Sequence, residues 1–241
     1  VYFNDAGTVM DRNLGATSAT PGDVGTLGLL YQWGRKDPFP GSSAVHYDDM
    51  ERAKSTIVWP ASVKSTSTTG TLSYATANPT TFITYGYNNS DWLYDESSSI
   101  YATRWQPVKT SYDPCPVGWV IPDCGEKGPW AKALGFCAEY PYEYDLNLEG
   151  MNFSGDLGTS SVIWYPASGF RAGYDGSLVV GGYGYYWSVT PREDNSYSLS
   201  FSDYGRINPI SSMSHAAGLP VRCQKEKSND AAATPEVVAT Y

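Results

Sequence analysis

Basic charge is scarce in this chain. Of its 241 residues, 16 are Lys or Arg against 25 Asp or Glu, for a net charge of -9. Lys and Arg form no cluster, which argues against a phosphate-backbone surface, so nucleic acid is not an expected partner. Runs of about 18 apolar residues are missing too, so no helical membrane span is expected. Histidine is limited to His46 and His215, and no CxxC pair occurs. Structural zinc, which wants closely spaced Cys and His, is therefore not expected, and no cofactor is called for. GxSxG, HExxH and P-loop signatures are all lacking.

What is present is aromatic and polar: 20 Tyr, 8 Trp and 24 Gly, with charged residues at only 17%. That mix points to a strand- and loop-rich protein long enough to bury a substantial core. The chain starts at Val1 without an initiator Met, so it is expected to be a processed or truncated product, and the lack of a leader excludes no destination. Cys115, Cys124, Cys137 and Cys223 allow three connectivities, among which spacing does not choose. The preferred pairing is Cys115 with Cys223 and Cys124 with Cys137. The first would close a loop of about a hundred residues, worth about 4–5 kcal/mol in a chain-entropy treatment. Such a bridge implies an oxidising compartment.

Along the chain, residues 1–14 read as a hairpin, and 29–33 as a short buried element whose periodicity fits helix or strand. Residues 38–110 lose periodicity and are too long for a bare loop. They are expected to be an elaborated insertion of short strands and 3₁₀ turns, with Trp59, Phe82, Tyr85, Trp92, Leu93 and Trp105 reaching back to the core. A strand is expected over 117–121, and a short amphipathic helix over 126–136 as the main helix. The 181–223 stretch carries five tyrosines around Trp187, Leu199, Phe201, Ile207 and Val221. In it Tyr197, Leu199 and Phe201 alternate with Ser198, Ser200 and Ser202, the period of a half-buried strand. Its Tyr, Asn, Ser and Asp residues are types that make adaptable contacts at binding surfaces. Residues 226–241 read as a flexible extension.

DRNLG, GLLYQWG, CPVGW, WYPASGFR, GYYWSVTP, SLSF and VRC occur here in the order found in the Fibrobacter succinogenes major paralogous domain family, which the chain resembles over 1–225. The 38–110 insertion departs from that pattern. The resemblance implies a single α+β domain with a C-type lectin-like fold, strand- and loop-rich with one or two short helices, in which the terminal strands pair and Cys115 lies near Cys223. It also implies an extracellular place on a bacterial surface, as an adhesion or ligand-binding module for glycan or a host or bacterial surface protein, with fimbrial subunits as possible neighbours. The EPN, QPD and WND motifs of calcium-dependent sugar-binding members are missing, so that metal site is not expected. The terminal stretch is also similar to that of retroelement-diversified variable proteins. The contact residues would then be Tyr183, Tyr185, Asp194, Asn195, Ser198, Ser200, Asp203, Tyr204, Asn208, Ser212 and His215.

The competing reading is a carbohydrate-active enzyme using paired carboxylates, such as Glu139 with Glu143 or Asp91 with Asp95. In so acidic a chain such pairs are more simply solvated surface, and a non-enzymatic module is expected. Arg12, Arg171 and Arg222 are expected to be internal forks bonding loop carbonyls, with Arg35 left open between that role and ligand contact. Trp33, Trp119, Trp164 and Trp187 are expected in the core, leaving Tyr183, Tyr185 and Tyr204 as the platform.

Overall fold

The computed structural model describes residues 7–41, 47–48, 51–52, 62–86, 90–94, 104–125, 128–134, 142–153, 163–193 and 195–226. In the first half the regular pieces are short: β1 (Leu29–Gln32), β2 (Phe39–Pro40), β3 (Tyr47–Asp48), β4 (Glu51–Arg52), β5 (Val63–Lys64), helix α1 (Leu72–Ala77) and β6 (Ile83–Thr84). Then come β7 (Trp119–Val120), helix α2 (Pro129–Leu134), β8 (Tyr144–Asp145), β9 (Gly150–Asn152), β10 (Trp164–Pro166), β11 (Phe170–Arg171) and β12 (Leu178–Val179). Long strands appear only near the end, as β13 (Tyr183–Arg192), β14 (Asn195–Ser202) and β15 (Ile207–Ser214), before β16 (Gly218–Pro220) and β17 (Gln224–Lys225). The described chain is thus mostly strand with two short helices, a strand-rich α+β arrangement.

One five-stranded sheet runs β12-β11-β16-β1-β2, and the long strands form a separate sheet β13-β14-β15. Pairing is antiparallel except between β5 and β6. β1 resolves the ambiguity over 29–33: Leu30 pairs with Pro220 and Tyr31 with Leu219, across nearly the whole chain. The first strand and turn of the expected amino-terminal hairpin, residues 1–6, lie outside the described set, and 9–14 pair with the carboxyl-terminal segment. Val9 bridges Gln224, and the amides of Met10 and Leu14 donate to the carbonyls of Cys223 and Val221. This is the terminal pairing that the resemblance implied.

Cys115 and Cys223 form a disulfide across 108 residues. The second expected bridge is not formed. Cys124 is a buried thiol whose Sγ lies 3.1 Å from the carbonyl of Pro209, and Cys137 is outside the described residues. Burial pushes that thiol up to about 11, which makes it a poor nucleophile.

Two core layers flank the terminal sheet. On one face Tyr186, Leu199 and Phe201 join Phe153, Tyr165 and Trp130; on the other Trp187 and Val189 join Trp33, Trp105, Leu219 and the disulfide. β14 is therefore buried on both faces at its middle, not half-buried, and Ser196 and Ser198 are fully enclosed. Asn13 explains the DRNLG motif: its Nδ2 donates to Leu27 O, Ser168 Oγ and Tyr186 Oη, while its Oδ1 accepts from Arg222.

The insertion docks much as expected, with Phe82, Trp92, Leu93 and Trp105 buried and Tyr85 half-buried; Trp59 is outside the described residues. It also contains α1, a helix where strands and 3₁₀ turns were expected. Thr71 caps it by accepting from the Tyr74 amide, and Asn78 closes its other end. Of the expected 126–136 helix, Pro129–Leu134 is helical, and 126–127 and 135–136 lie outside the described residues.

Replacing Cys115 and Cys223 together by Ser should lower unfolding free energy in urea by about 4 kcal/mol. Mass spectrometry of the unreduced wild type should show this pair bridged; free thiols at both positions would contradict the linkage.

Candidate functional site

In β13, successive side chains point to opposite faces. Gly184 and Tyr186 turn toward the inner core, so Tyr183 and Tyr185 share the outer face, half-buried, with ring centroids 6.4 Å apart and planes 27° from parallel. Gly184 is needed between them, because a Cβ there would enter the Phe201 ring that fills the inner face. Register continues the outer row, with Tyr185 opposite Ser200 and Ser200 opposite Asn208. Phe170 buttresses the platform, its ring edge-on to Tyr185 at 5.3 Å.

At the end of β14 a tight turn carries Tyr204 outward, 78% exposed. The turn is tied down by Asp203 N donating to Gly182 O, Ser202 N to Arg206 O and Gly205 N to Ser202 O. Beneath it, Ser202 Oγ and Asp203 Oδ1 are buried with no hydrogen-bond partner among the described residues, and Ser202 lies opposite Tyr183. Unpaired buried polar groups are uncommon enough in folded proteins to need a reason.

The predicted contact set does not form one surface. Tyr183, Tyr185, Ser200 and Asn208 come together, with Asp203 and Tyr204 at the adjoining turn. Asn195 has the strand parity of Leu199 and Phe201, and Ser212 pairs with Tyr197, which places both on the opposite face. Ser198 and His215 are corrections: both are fully buried against the second core layer. Asp194 is outside the described residues. A polar residue in a strand registers as surface only when one face meets water, and here neither does over the middle of β14.

His215 belongs to a buried polar hub. Its Nδ1 lies 2.8 Å from Asp91 Oδ2 and its Nε2 lies 2.8 Å from Ser196 Oγ. Arg104 grips the same carboxylate with both terminal nitrogens, at 2.9 and 2.5 Å. The His215 ring stacks on Trp33 at 4.4 Å, and the Arg104 guanidinium sits 4.6 Å from the Trp33 ring centroid. Gly34, at φ 83°, leaves room for the Arg104 stem, which would lie 2.5 Å from a Cβ there. Burial alone would raise the Asp91 carboxyl, but Arg104 and His215 hold it well below the usual carboxylate range. Burial pushes His215 below its ordinary value, against the pull of Asp91, whose carboxylate accepts from Nδ1–H.

Ser196, His215 and Asp91 thus have the connectivity of a Ser-His-Asp triad. Ser196 and His215 have no exposed surface, so no substrate reaches the hydroxyl, and the arrangement acts as a structural clasp. Asp91 is likewise spoken for by two partners, while Asp95 and Glu139, the other halves of the two carboxylate pairs, lie outside the described residues. Among the described residues no three His, Cys, Asp or Glu side chains gather as a metal set, and no helix is long and apolar enough to cross a membrane.

Arg222 and Arg171 are internal forks, bonding Asn13 and Trp164 O, and Pro40 O and Gly176 O. Arg12 is not: it pairs with Asp11 at the surface. Trp33, Trp164 and Trp187 are core, while Trp119 is half-buried. The chain matches no protein-family model, no curated protein and no solved structure. Fold and site define a disulfide-bridged, strand-rich α+β protein with an aromatic outer platform.

Asp91→Asn should destabilise the fold by about 3–5 kcal/mol, because it leaves the Arg104 cation buried without its counter-ion. Both Asp91 and His215 have folded-state values below their ordinary 3.8 and 6.5. Their stabilising effect is therefore complete above about pH 6.5 and is lost as pH falls, first through His215 and then through Asp91. Melting temperature should decline as pH falls below 6.5, and His215→Gln should flatten the portion above pH 5. A wild-type profile level from pH 7 to 5 would contradict this.

Proposed function

We propose that this chain is a non-enzymatic, extracellular binding module that recognises a glycan or a surface protein through Tyr183, Tyr185, Ser200, Asn208 and Tyr204. The observation that carries the reading is the stacked, half-exposed Tyr183–Tyr185 pair on a sheet whose other face is packed core. Tyrosines held this way offer large amphipathic contact area at small entropic cost, since the backbone and Gly184 fix them before a ligand arrives. The unpartnered Ser202 Oγ and Asp203 Oδ1 beneath the platform add polar capacity that the protein itself does not use. The Cys115–Cys223 disulfide suits an oxidising, extracellular setting. Membership of the lectin-like surface family, a place at the end of a fimbrial polypeptide and retroelement diversification of 181–223 belong to the same reading. They rest on the motif order and on the Tyr, Asn, Ser and Asp content.

The experiment is capture on glycan and surface-protein arrays. Tyr183→Ala, Tyr185→Ala and Tyr204→Ala combined should abolish capture with the circular dichroism spectrum unchanged, while Val117→Ala, at an exposed site outside the platform, should leave it intact. Capture that survives the triple change would remove the platform from this role.

A further inference from the structure

Arg35 is an internal fork whose guanidinium also lies over the Phe39 and Trp92 rings, at 4.9 and 5.7 Å. It is 2% exposed, yet it lines a cavity of about 210 Å³ between the 34–37 turn, α1 and the 111–112 turn. Its Nη1 donates to Gln32 Oε1 and Thr81 O, and its Nη2 contacts Asn78 O and Pro79 O. Its Nε has no hydrogen-bond partner among the described residues. These carbonyls satisfy donors but do not neutralise charge. The carboxylate against it is Asp37, at 3.3 Å and with a third of its side chain open to solvent. Lys36 lines the same cavity, which therefore carries an excess of positive charge in a protein of net charge -9. Burial also pushes the Arg35 guanidinium below its ordinary value, with Asp37 acting in the opposite direction.

The remaining wall has a different character: Leu72, Ala75 and Trp92 are apolar, and the Thr76 and Ser111 hydroxyls stand at the rim. We propose that this cavity binds a carboxylate carried on a small apolar body, the anion at Arg35 and Lys36 and the body against Leu72, Ala75 and Trp92. A carboxylate supplies a second negative charge beside Asp37 and an acceptor for the Arg35 Nε. The volume lies below the ~300–1,000 Å³ of drug-sized sites, so the body is about one ring or one side chain. An anion without an apolar part would leave that wall uncovered, and a neutral ligand would leave Arg35 as it is. The carboxylate could belong to a free acid or to the carboxyl terminus of a peptide; the chemistry of recognition is the same.

Titration of the full chain by NMR with benzoate and with benzyl alcohol tests this. Benzoate should shift residues of the 34–37 turn and α1 saturably and bind at least about tenfold more tightly than the alcohol. Lys36→Glu, at an exposed position, should weaken benzoate by about tenfold. Thr76→Phe, on the outer side of α1, should block the mouth and abolish binding without touching the Arg35 network. N-acetyl-Ala-Ala-Phe as acid and as amide forms the second arm. Acid binding tighter than benzoate would assign a peptide terminus, and benzoate binding alone would assign a free acid. Equal binding of benzoate and benzyl alcohol, indifference to both substitutions, or no saturable shift with either acid would overturn the proposal. The tyrosine triple variant should bind benzoate normally, which separates this site from the platform.

Discussion

The Asp91 carboxylate ties together parts of the chain that lie far apart in sequence. Arg104 comes from the far end of the insertion, His215 from the turn after β15, and through His215 the clasp reaches Ser196 in β14. Trp33 lies against both His215 and Arg104. A buried carboxylate is tolerable only if the attraction of its partners exceeds the cost of leaving water, and one bidentate arginine contact plus an imidazole N–H meet that condition. Ion pairs of this kind add little net stability over apolar packing. What they do supply is geometry, because any other docking of the insertion leaves a charge stranded.

Indole N–H groups extend the same logic. Trp187 donates to Tyr31 O, Trp33 to Ser188 O and Trp92 to Trp33 O, so the first strand, the long sheet and the insertion are linked by side-chain-to-backbone bonds. In a fold built from many two- and three-residue strands, ladder bonds are too few to align the layers. Large aromatic side chains that bury area and also carry one donor do that work. The disulfide adds a covalent tie at the point where the terminal segments pair.

With the middle of β14 enclosed on both faces, accessible aromatic and cationic side chains are left to the ends of the sheet and to the cavity beside the insertion. The tyrosine pair stands where the outer core layer ends, and Tyr204 projects from the adjoining turn. The Arg35 cavity opens on the insertion side, against a helix that exists only because the insertion is folded there. An aromatic patch and a small cationic cavity therefore have separate supports among the described residues.

Several features follow from local sequence alone. Gly184 between two tyrosines, the alternation of Tyr197, Leu199 and Phe201 with serines, and apolar runs such as 29–33 specify strand faces because the side-chain period of a strand is two. Four cysteines leave three connectivities open, and the partner of Cys115 is decided by the fold, which brings 115 and 223 together. Other features depend on residues far apart in sequence. Whether Ser198 and His215 face solvent is decided by a second core layer contributed from 31–33, 105 and 217–223, which no local pattern encodes. Asn195 and Ser212 left the platform because strand parity and cross-strand register put them on the other face. The pairing of 9–14 with the carboxyl-terminal segment was decided by the closure of the whole chain. Sequence determined which residues could lie on a strand face or in a core; tertiary structure decided which faces met water, because burial is a property of what packs against a residue.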